Sequence, residues 1–326
     1  MEPLDYGWLL RFDNDLLKPG EHDRDYTFGV AFTRASDETI EGPHWLAHAL
    51  DWTDEVLGVP RGAASDGRAF ELGLQLFTPD DLKAEEPLPD DRPYANLLYA
   101  ASSRLTEDAP RRAVYQSTLT LGVLGLPVVG RVHRAAHDLL GNPLPSGYDH
   151  QISDGGEPTF RYAFSKHRLL VSGAHNERPY SLRFGFGASV GYITEANIEI
   201  AFRSGPERMA WWSAPPLPSD YAGQPPIQSR RKDATAAVRG VVFEGGLALR
   251  ARAYDAFLQG QVRHSDVTFA SDELNHVLVE AWFGFSIVQK NGINVSYTLR
   301  WQSPEIADGL GSRSFSWGSL SFTRRF

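Results

Sequence analysis

The sequence predicts an all-β fold: twelve antiparallel strands that form a single β-barrel over residues 1–326, transmembrane or soluble, with a short helix at one rim. Apolar and polar residues alternate with a period of two in twelve segments, which is the pattern of strands with two different faces. Aromatic residues make up 12% of the chain, and many lie in these segments. No run approaches the roughly 18 apolar residues of a transmembrane helix. The even number of strands and the absence of a dividing linker favour one barrel.

The alternation is clearest in the eleventh candidate strand. There Ile293, Tyr297 and Trp301 face one way, while Asn294 and Arg300 face the other. In a membrane barrel the apolar face contacts lipid and the polar face lines the lumen, whereas in a soluble sandwich the apolar face would be the core. Arg, Glu and Ser on the second face suit a polar lumen better. The strands cover residues 5–13, 26–34, 69–77, 94–104, 113–124, 160–171, 180–190, 195–203, 238–253, 275–288, 293–302 and 315–326.

The connections between strands fall into two groups, one at each rim. Asn291-Gly292 is the signal of a two-residue type I′ turn between the tenth and eleventh strands, so connections from even to odd strands share one rim. Two of these connections are long: residues 35–68, with a helical stretch from Trp45 to Leu57, and residues 204–237. The connections from odd to even strands therefore share the other rim.

A short helix over residues 131–141 is predicted at this second rim. It has a narrow apolar stripe, and Gly141 is a typical stop. His133 and His137 are four residues apart, so they share one face of the helix.

Composition excludes several classes of function. The chain has no Cys, so disulfides, thiol chemistry and Cys-ligated zinc are excluded. The net charge is −9 and the Lys and Arg residues are scattered, which argues against a nucleic-acid partner. Residues 1–5 have neither the positive nor the apolar region of a signal peptide. Either the chain is cytosolic or a signal peptide has been removed, and the resemblance described below favours the second.

Four polar clusters share the rim of the predicted helix. They are Asn14-Asp15 with Asp23 to Thr27, residues 78–81, residues 90–94, and Arg131 to His137 continued by residues 149–151. No comparable set falls on the opposite rim. Because functional side chains are usually carried by loops on a rigid scaffold, we expect a site here.

Three chemistries are compatible with this rim. A zinc site of His133 and His137 lacks the Glu of the His-Glu-x-x-His motif. A Ser-His-Asp nucleophile lacks the Gly-x-Ser-x-Gly elbow, and Ser146 has no supporting pattern. The third chemistry places a hard cation on oxygens such as those of Asp15 and uses His137 as the base that activates a water.

Each of these residues also has an ordinary structural interpretation. Asp23 to Thr27 would form an ion-paired turn, His137 a half-buried helix residue, and Asp91-Arg92 an exposed salt bridge that contributes little. The convergence of all of them on one rim favours the functional interpretation.

Six motifs, in order, resemble the outer-membrane lipid A 3′-O-deacylase family, whose members remove the 3′-linked acyloxyacyl group. They are FDNDLL, DRDYTFGVAF, LFTPDD, DRPYANLLY, LGVLG and VHRAAHDLLGNPLPSGYDHQI. They cover roughly the first half of the chain, and the strand pattern and terminal Phe326 extend the resemblance over the rest. The resemblance implies a twelve-stranded antiparallel transmembrane β-barrel with a short helix after the fifth strand at its extracellular rim. It also implies a calcium-dependent site beside this helix, at the level of the outer leaflet.

The resemblance also implies roles for individual residues. His137 matches the catalytic His, proposed to activate a water that attacks the ester carbonyl, and Asp15 matches the calcium ligand. Asn14 is implied as a site-positioning residue and Thr27 as a site-lining hydroxyl. Arg92 is implied either in a structural pairing or in contact with a lipid phosphate.

The segment before the predicted helix departs from the family pattern. Residues 125–131 lack the usual Gly-Pro after the strand and the usual Glu or Gln before the helix. Arg131 and His133 occupy positions that are neutral polar or acidic in the family. Arg131, together with Arg92, is expected to contact the substrate.

The sequence thus predicts a calcium-dependent hydrolase of the bacterial outer membrane, with lipid A or lipopolysaccharide as substrate, outer-membrane lipids as surroundings and a monomeric state. The alternatives are an outer-membrane phospholipase with a Ser nucleophile, a non-catalytic porin or lipopolysaccharide-binding barrel, and a soluble β protein. Alternation predicts one further detail: Asn14 continues the lipid face of the first strand and Asp15 its polar face. This stretch would then straddle the barrel wall.

Overall fold

The computed structural model describes residues 7–18, 24–36, 42–60, 66–175, 178–205, 211, 240–288 and 293–325. In these residues twelve antiparallel strands form a closed barrel in sequence order, and the first strand pairs with the last. The predicted fold class is confirmed. The strands are β1 (Gly7–Asn14), β2 (Asp25–Ser36), β3 (Asp66–Thr78), β4 (Ala95–Asp108), β5 (Ala113–Leu124), β6 (Glu157–His175), β7 (Arg178–Gly191), β8 (Ile193–Ser204), β9 (Gly240–Asp255), β10 (Val277–Val288), β11 (Ile293–Gln302) and β12 (Phe315–Arg325).

The described parts of the connections contain three α-helices: α1 (His44–Val56), α2 (Pro127–Leu140) and α3 (Ala256–Gln259). The start of α2 differs from the predicted residue 131, because Pro127 occupies the first turn, where its fixed φ is favourable and its missing N–H is not needed. Gly141 ends the helix in the left-handed conformation, as predicted. None of the described helices is long and apolar enough to cross a membrane.

Four features predicted from the sequence lie outside the described residues. They are the Asn291-Gly292 turn, Asp23, Phe326 and most of the 204–237 connection.

The two faces of the barrel wall have opposite polarity. On the outside, Phe32, Leu72 and Leu98 are 48%, 51% and 48% exposed. On the inside, Thr33 and Glu71 are buried and joined by a hydrogen bond. Apolar side chains outward and polar side chains inward are the arrangement of a barrel that is surrounded by lipid.

An aromatic cluster fills the lumen at the rim that carries α2. It contains Tyr26, Phe77, Phe257, Phe315 and Trp317, all buried. Phe257 belongs to α3, which therefore folds into the mouth of the barrel. Asp255 caps this short helix by accepting a hydrogen bond from the backbone N–H of Phe257 at 2.9 Å.

Buried ion pairs fill the lumen below this cluster. Arg250 contacts Glu195 and Glu280 at 2.5 and 2.6 Å, Arg252 also contacts Glu195 at 3.0 Å, and Arg300 contacts Glu280 at 3.0 Å. We call Glu195, Arg250, Arg252, Glu280 and Arg300 the lumen network. A buried charge is tolerated only when it is paired, and each of these is.

Both longer helices pack against the outer surface of the wall, one at each rim. Near the rim of the candidate site, α2 packs on Leu74 and Leu76, which share the outward face of β3 with exposed Leu72. Near the opposite rim, α1 packs on β4 and β5 at Arg104 and Ser117. Arg104 is an even number of residues from exposed Leu98 and pairs with Ser117, so both side chains point outward.

Candidate active site

A β-bulge in β2 builds the first corner of the candidate site. The register of β2 against β3 shifts between Tyr26 and Phe28, so Thr27 is the extra residue. Alternation predicts Tyr26 and Phe28 on the same face, and this is wrong: Tyr26 turns into the lumen while Phe28 packs at the outer wall. The Thr27 hydroxyl lies 2.6 Å from that of Thr78, which ends the outward series of β3.

Asn14 joins this corner from the end of β1. Its side-chain nitrogen donates to the carbonyl of Thr27 at 2.9 Å, and its side-chain oxygen accepts from the backbone N–H of Leu16 at 2.7 Å. The second bond caps the 3-10 turn Asp15–Leu17. Asn14 therefore fixes the position of Thr27 and the course of the chain after β1.

Asp15 is buried at the start of this turn, with 1% of its surface exposed. Its Oδ2 accepts a hydrogen bond from the backbone N–H of Arg24 at 2.6 Å. The Arg24 guanidinium in turn donates to Asp80 at 2.7 Å. This chain of contacts connects Asp15 to the loop between β3 and β4.

Two residues at the start of β4 hold the α2 segment against the outer wall. The Asn96 side chain accepts from the N–H of Leu126 at 3.0 Å and donates to Gln151 at 2.7 Å. The Tyr94 carbonyl accepts from the N–H of Ile152 at 2.8 Å. Both ends of the segment that contains α2 are therefore fixed to the same strand.

Apolar packing completes this attachment. Val129 on α2 and Tyr148 in the returning loop form one buried cluster with Leu76 and Leu82, against which Phe28 also packs. A Cβ at Gly130 would lie 2.6 Å from the Tyr148 ring, so only glycine allows this approach. Because Phe28 follows Thr27 directly, the cluster connects α2 to the bulge of β2.

His137 is buried on the inner side of α2, with 6% of its surface exposed. Its Nδ1 lies 2.7 Å from the carbonyl oxygen of Pro143. A carbonyl only accepts, so Nδ1 carries the proton, and in the neutral ring Nε2 is the basic nitrogen. The loop after α2 therefore selects the tautomer that can act as a base through Nε2.

His133 packs edge-to-face on His137, with ring centroids 4.3 Å apart. Its Nδ1 lies 2.8 Å from the Tyr148 hydroxyl. Burial, and then the neighbouring His137, lower the pKa of His133 to about 4. His133 is therefore neutral at physiological pH, and so the pair cannot hold two charges side by side.

The two predicted substrate-binding arginines lie in different environments. Arg92 is buried in the barrel, where it pairs with Asp25 and Glu305 and its guanidinium lies 5.1 Å from the Phe77 ring centroid. This geometry favours the structural pairing among the two roles expected for Arg92. Arg131 is exposed on α2, and its contact with substrate stays a prediction.

The structure thus brings Asn14 and Thr27 into direct contact and connects α2, with His137, to the same wall by packing. Sequence reasoning placed Thr78 in a polar cluster of this rim without its contact, and it missed Asn96 and Tyr148, which position α2. A detectable signal existed for Asn96, because an amide on the outward face of a strand is unusual in lipid-facing sequence. Thr78 and Tyr148 lie within motifs that point to the family but gave no sign of their contacts.

A family model described as outer membrane protein LpxR matches residues 4–326 of the chain. The chain belongs to this family. The recognition made from the sequence is therefore confirmed, and membership in the LpxR family together with the barrel fold identifies an outer-membrane protein. A search of curated proteins finds no match.

The solved structure of LpxR from Salmonella typhimurium is similar to this chain, with a TM-score of 0.76 and 14% sequence identity over 98% of this chain and 100% of that one. At this identity the likeness shows the fold. The β domain of the Bordetella autotransporter BrkA gives a TM-score of 0.47 at 9% identity, over 99% of this chain and 100% of that one. That value is too low to support an argument about function.

Proposed function

We propose that this protein is a lipid A deacylase that hydrolyses the 3′-linked acyloxyacyl ester of lipid A. The observation that carries the proposal is the location of the candidate site outside the barrel wall. His137 lies on a helix that packs on the outer surface of β2 and β3, beside the Asn14 and Thr27 corner. An acyl ester of a membrane lipid reaches such a site without leaving the bilayer. Membership in the LpxR family supports the same conclusion.

In the proposed reaction, Nε2 of His137 accepts a proton from a water while the water oxygen attacks the ester carbonyl carbon. The tetrahedral intermediate then collapses, the bond to the sugar oxygen breaks, and His137 returns its proton to that oxygen. The products are a fatty acid and a free sugar hydroxyl. The Pro143 carbonyl holds the ring in the required tautomer throughout.

We further propose that Asp15 holds a calcium ion. The fit rests on oxygen chemistry: Asp15 is a buried carboxylate, and the adjoining corner offers the hydroxyls of Thr27 and Thr78. In the described ranges no three His, Asp or Glu side chains group together, so backbone carbonyls, water or lipid oxygens would complete the shell. Bound there, calcium would stabilise negative charge that develops on the ester oxygen.

Two alternatives fit the geometry less well. A phospholipase needs a Ser hydrogen-bonded to its His, but the Ser146 hydroxyl donates to the carbonyl of Leu144 instead. A porin needs an open lumen, but aromatic side chains and the lumen network fill the described part of this one.

The test is mass spectrometry of lipid A after incubation with the purified protein. We expect loss of one acyloxyacyl group in the presence of calcium and none after chelation, with activity restored when calcium is added back. Cleavage that survives exhaustive chelation would refute the calcium proposal alone. Intact lipid A under every condition, with a folded barrel, would refute the deacylase proposal.

A further inference from the structure

Helix α1 packs on the outside of the barrel with a side that buries Leu46, Ala47 and Leu50 beside one carboxylate. Asp54 is fully buried and accepts hydrogen bonds from the hydroxyls of Ser117 and Tyr162, each at 2.8 Å. The Arg104 guanidinium lies 2.8 Å from the same carboxylate. Tyr162 pairs with Leu119 of β5, which shares a face with Ser117, so all three partners project outward from the wall.

A second carboxylate strengthens this attachment. Asp51 accepts two hydrogen bonds from the Arg68 guanidinium, at 2.8 and 2.9 Å, and lies 3.7 Å from Arg104. At the start of the helix, a Cβ at Gly42 would lie 2.4 Å from the Phe70 ring, so the chain touches the wall there as well. Paired carboxylates therefore fix α1 at a defined depth on the outer surface.

The opposite side of α1 is apolar and exposed. Trp45, Trp52 and Val56 are 62%, 68% and 64% exposed, and spacings of seven and four residues place them on one stripe. His48 and Glu55, both exposed, form the adjoining stripe. A helix exposed to water carries polar residues on the side away from the protein, whereas α1 carries Trp and Val there.

The distance between the two rim helices fixes the environment of this stripe. Asn96, which holds α2, and Arg104, which holds α1, lie on one face of β4. Eight residues of strand rise about 26 Å. With a strand tilt of about 40° the vertical separation is about 20 Å, whereas the apolar band of a membrane barrel is about 25 Å tall. The vertical separation of the two helices is shorter than the apolar band. An apolar band whose outer edge lies level with α2 therefore reaches α1.

We propose that α1 is an interfacial membrane helix, with its stripe of Trp45, Trp52 and Val56 covered by acyl chains of the inner leaflet. His48 and Glu55 then face the headgroups and water. Trp side chains are enriched at this level of membranes because the ring is apolar and its N–H is polar. The lipid-covered wall is continuous from β4 to the stripe, which identifies lipid as its occupant.

The absence of Cys from the chain makes a direct test possible. Single-Cys variants Trp52→Cys and Glu55→Cys, labelled with an environment-sensitive fluorophore, are reconstituted in phosphatidylcholine vesicles with and without bromine on the acyl chains. We expect the label at 52 to shift to the blue and to be quenched by brominated lipid at least about twofold more than the label at 55, since interfacial helices bury their apolar face by about 5–10 Å.

Val262→Cys supplies the control for an exposed apolar position, because Val262 is 96% exposed on a loop at the other rim. Quenching at 52 no stronger than at 55 and 262 would overturn the proposal. Energy transfer between labelled copies, without lipid quenching, would instead identify a second copy of the chain as the occupant and would also overturn it. Resistance to denaturation in detergent checks that each variant keeps its barrel.

Discussion

The lumen and the outer wall of this barrel differ in the polar side chains that they bury. In the lumen, full charges are buried in alternation, with Glu280 between Arg250 and Arg300. At the candidate site on the outer wall, hydroxyls and an amide are in contact, the carboxylate of Asp15 is buried beside them, and His133 on α2 is neutral because burial lowers its pKa. The lumen network satisfies its own charges, whereas the candidate site keeps groups that can exchange protons. Replacements in the two regions should therefore affect different properties.

The largest expected effect is on the rate after His137→Ala. Loss of a general base typically costs about 10²–10⁴ in rate, and the barrel should remain stable because His137 lies on α2, which packs outside the wall. Initial rates of fatty-acid release and the thermal unfolding of the barrel measure the two properties. His150→Ala is the matched control, since His150 lies at the same rim and pairs with Asp266. An unchanged rate in His137→Ala would remove the proposed base.

The complementary change in the lumen is Glu280→Ala, which removes the partner of both Arg250 and Arg300. Loss of one member of a buried ion pair typically destabilises by about 3–5 kcal/mol. We expect a lower unfolding temperature, with a normal rate for the fraction that remains folded. Asp108→Ala, which breaks the surface pair with Arg111, should change the stability far less, because solvent screens an exposed pair. Equal stability of the two variants would contradict a structural role for the lumen network.

Asn96→Ala should separate the position of α2 from the stability of the barrel. The change removes hydrogen bonds to Leu126 and Gln151, which typically costs about 1–3 kcal/mol of local stability. We expect faster amide exchange in α2 and a reduced rate, with little change in unfolding. Asn275→Ala removes a comparable amide that donates to the carbonyls of Pro304 and Ile306, and it should leave α2 unaffected. Slow exchange in α2 of Asn96→Ala would mean that packing alone holds the helix.

The smallest expected effect is that the attachment of α2 to the wall depends on pH. The pKa of His133 is about 4 in the folded protein and about 6.5 when exposed, so only the detached state binds a proton between these values. Attachment of α2 is therefore fully favoured above pH of about 6.5 and weakens as pH falls toward 4. Amide exchange in α2 against pH measures this. His133→Gln should flatten the profile, and an unchanged profile would assign the dependence to another group.

The fold was predictable from the sequence because alternation in a membrane barrel extends over whole strands. In β11, for example, all ten residues follow the same alternation of the two faces. The candidate site was only partly predictable. Motifs identified Asn14, Thr27 and His137, but the attachment of α2 to the outer wall depends on Asn96 and Gly130, whose contacts are far apart in sequence. Alternation gives the wrong face for Tyr26 because a single bulge reverses the alternation locally.

The bulge at Thr27 also shows how one extra residue adds a corner to the candidate site. A strand in a barrel separates the lumen from the lipid, and a bulge adds one residue to the strand while the pairs on either side of it keep their register. Tyr26 on one side of Thr27 lies in the interior, while Phe28 on the other side lies against the α2 cluster. Deleting Thr27 would leave Tyr26 opposite Phe77 and Phe28 opposite Leu76, so the ladder would become regular and only the contact of Thr27 with Thr78 would be lost. A change of one residue in chain length is therefore enough to remove this corner of the candidate site while the strands stay in register.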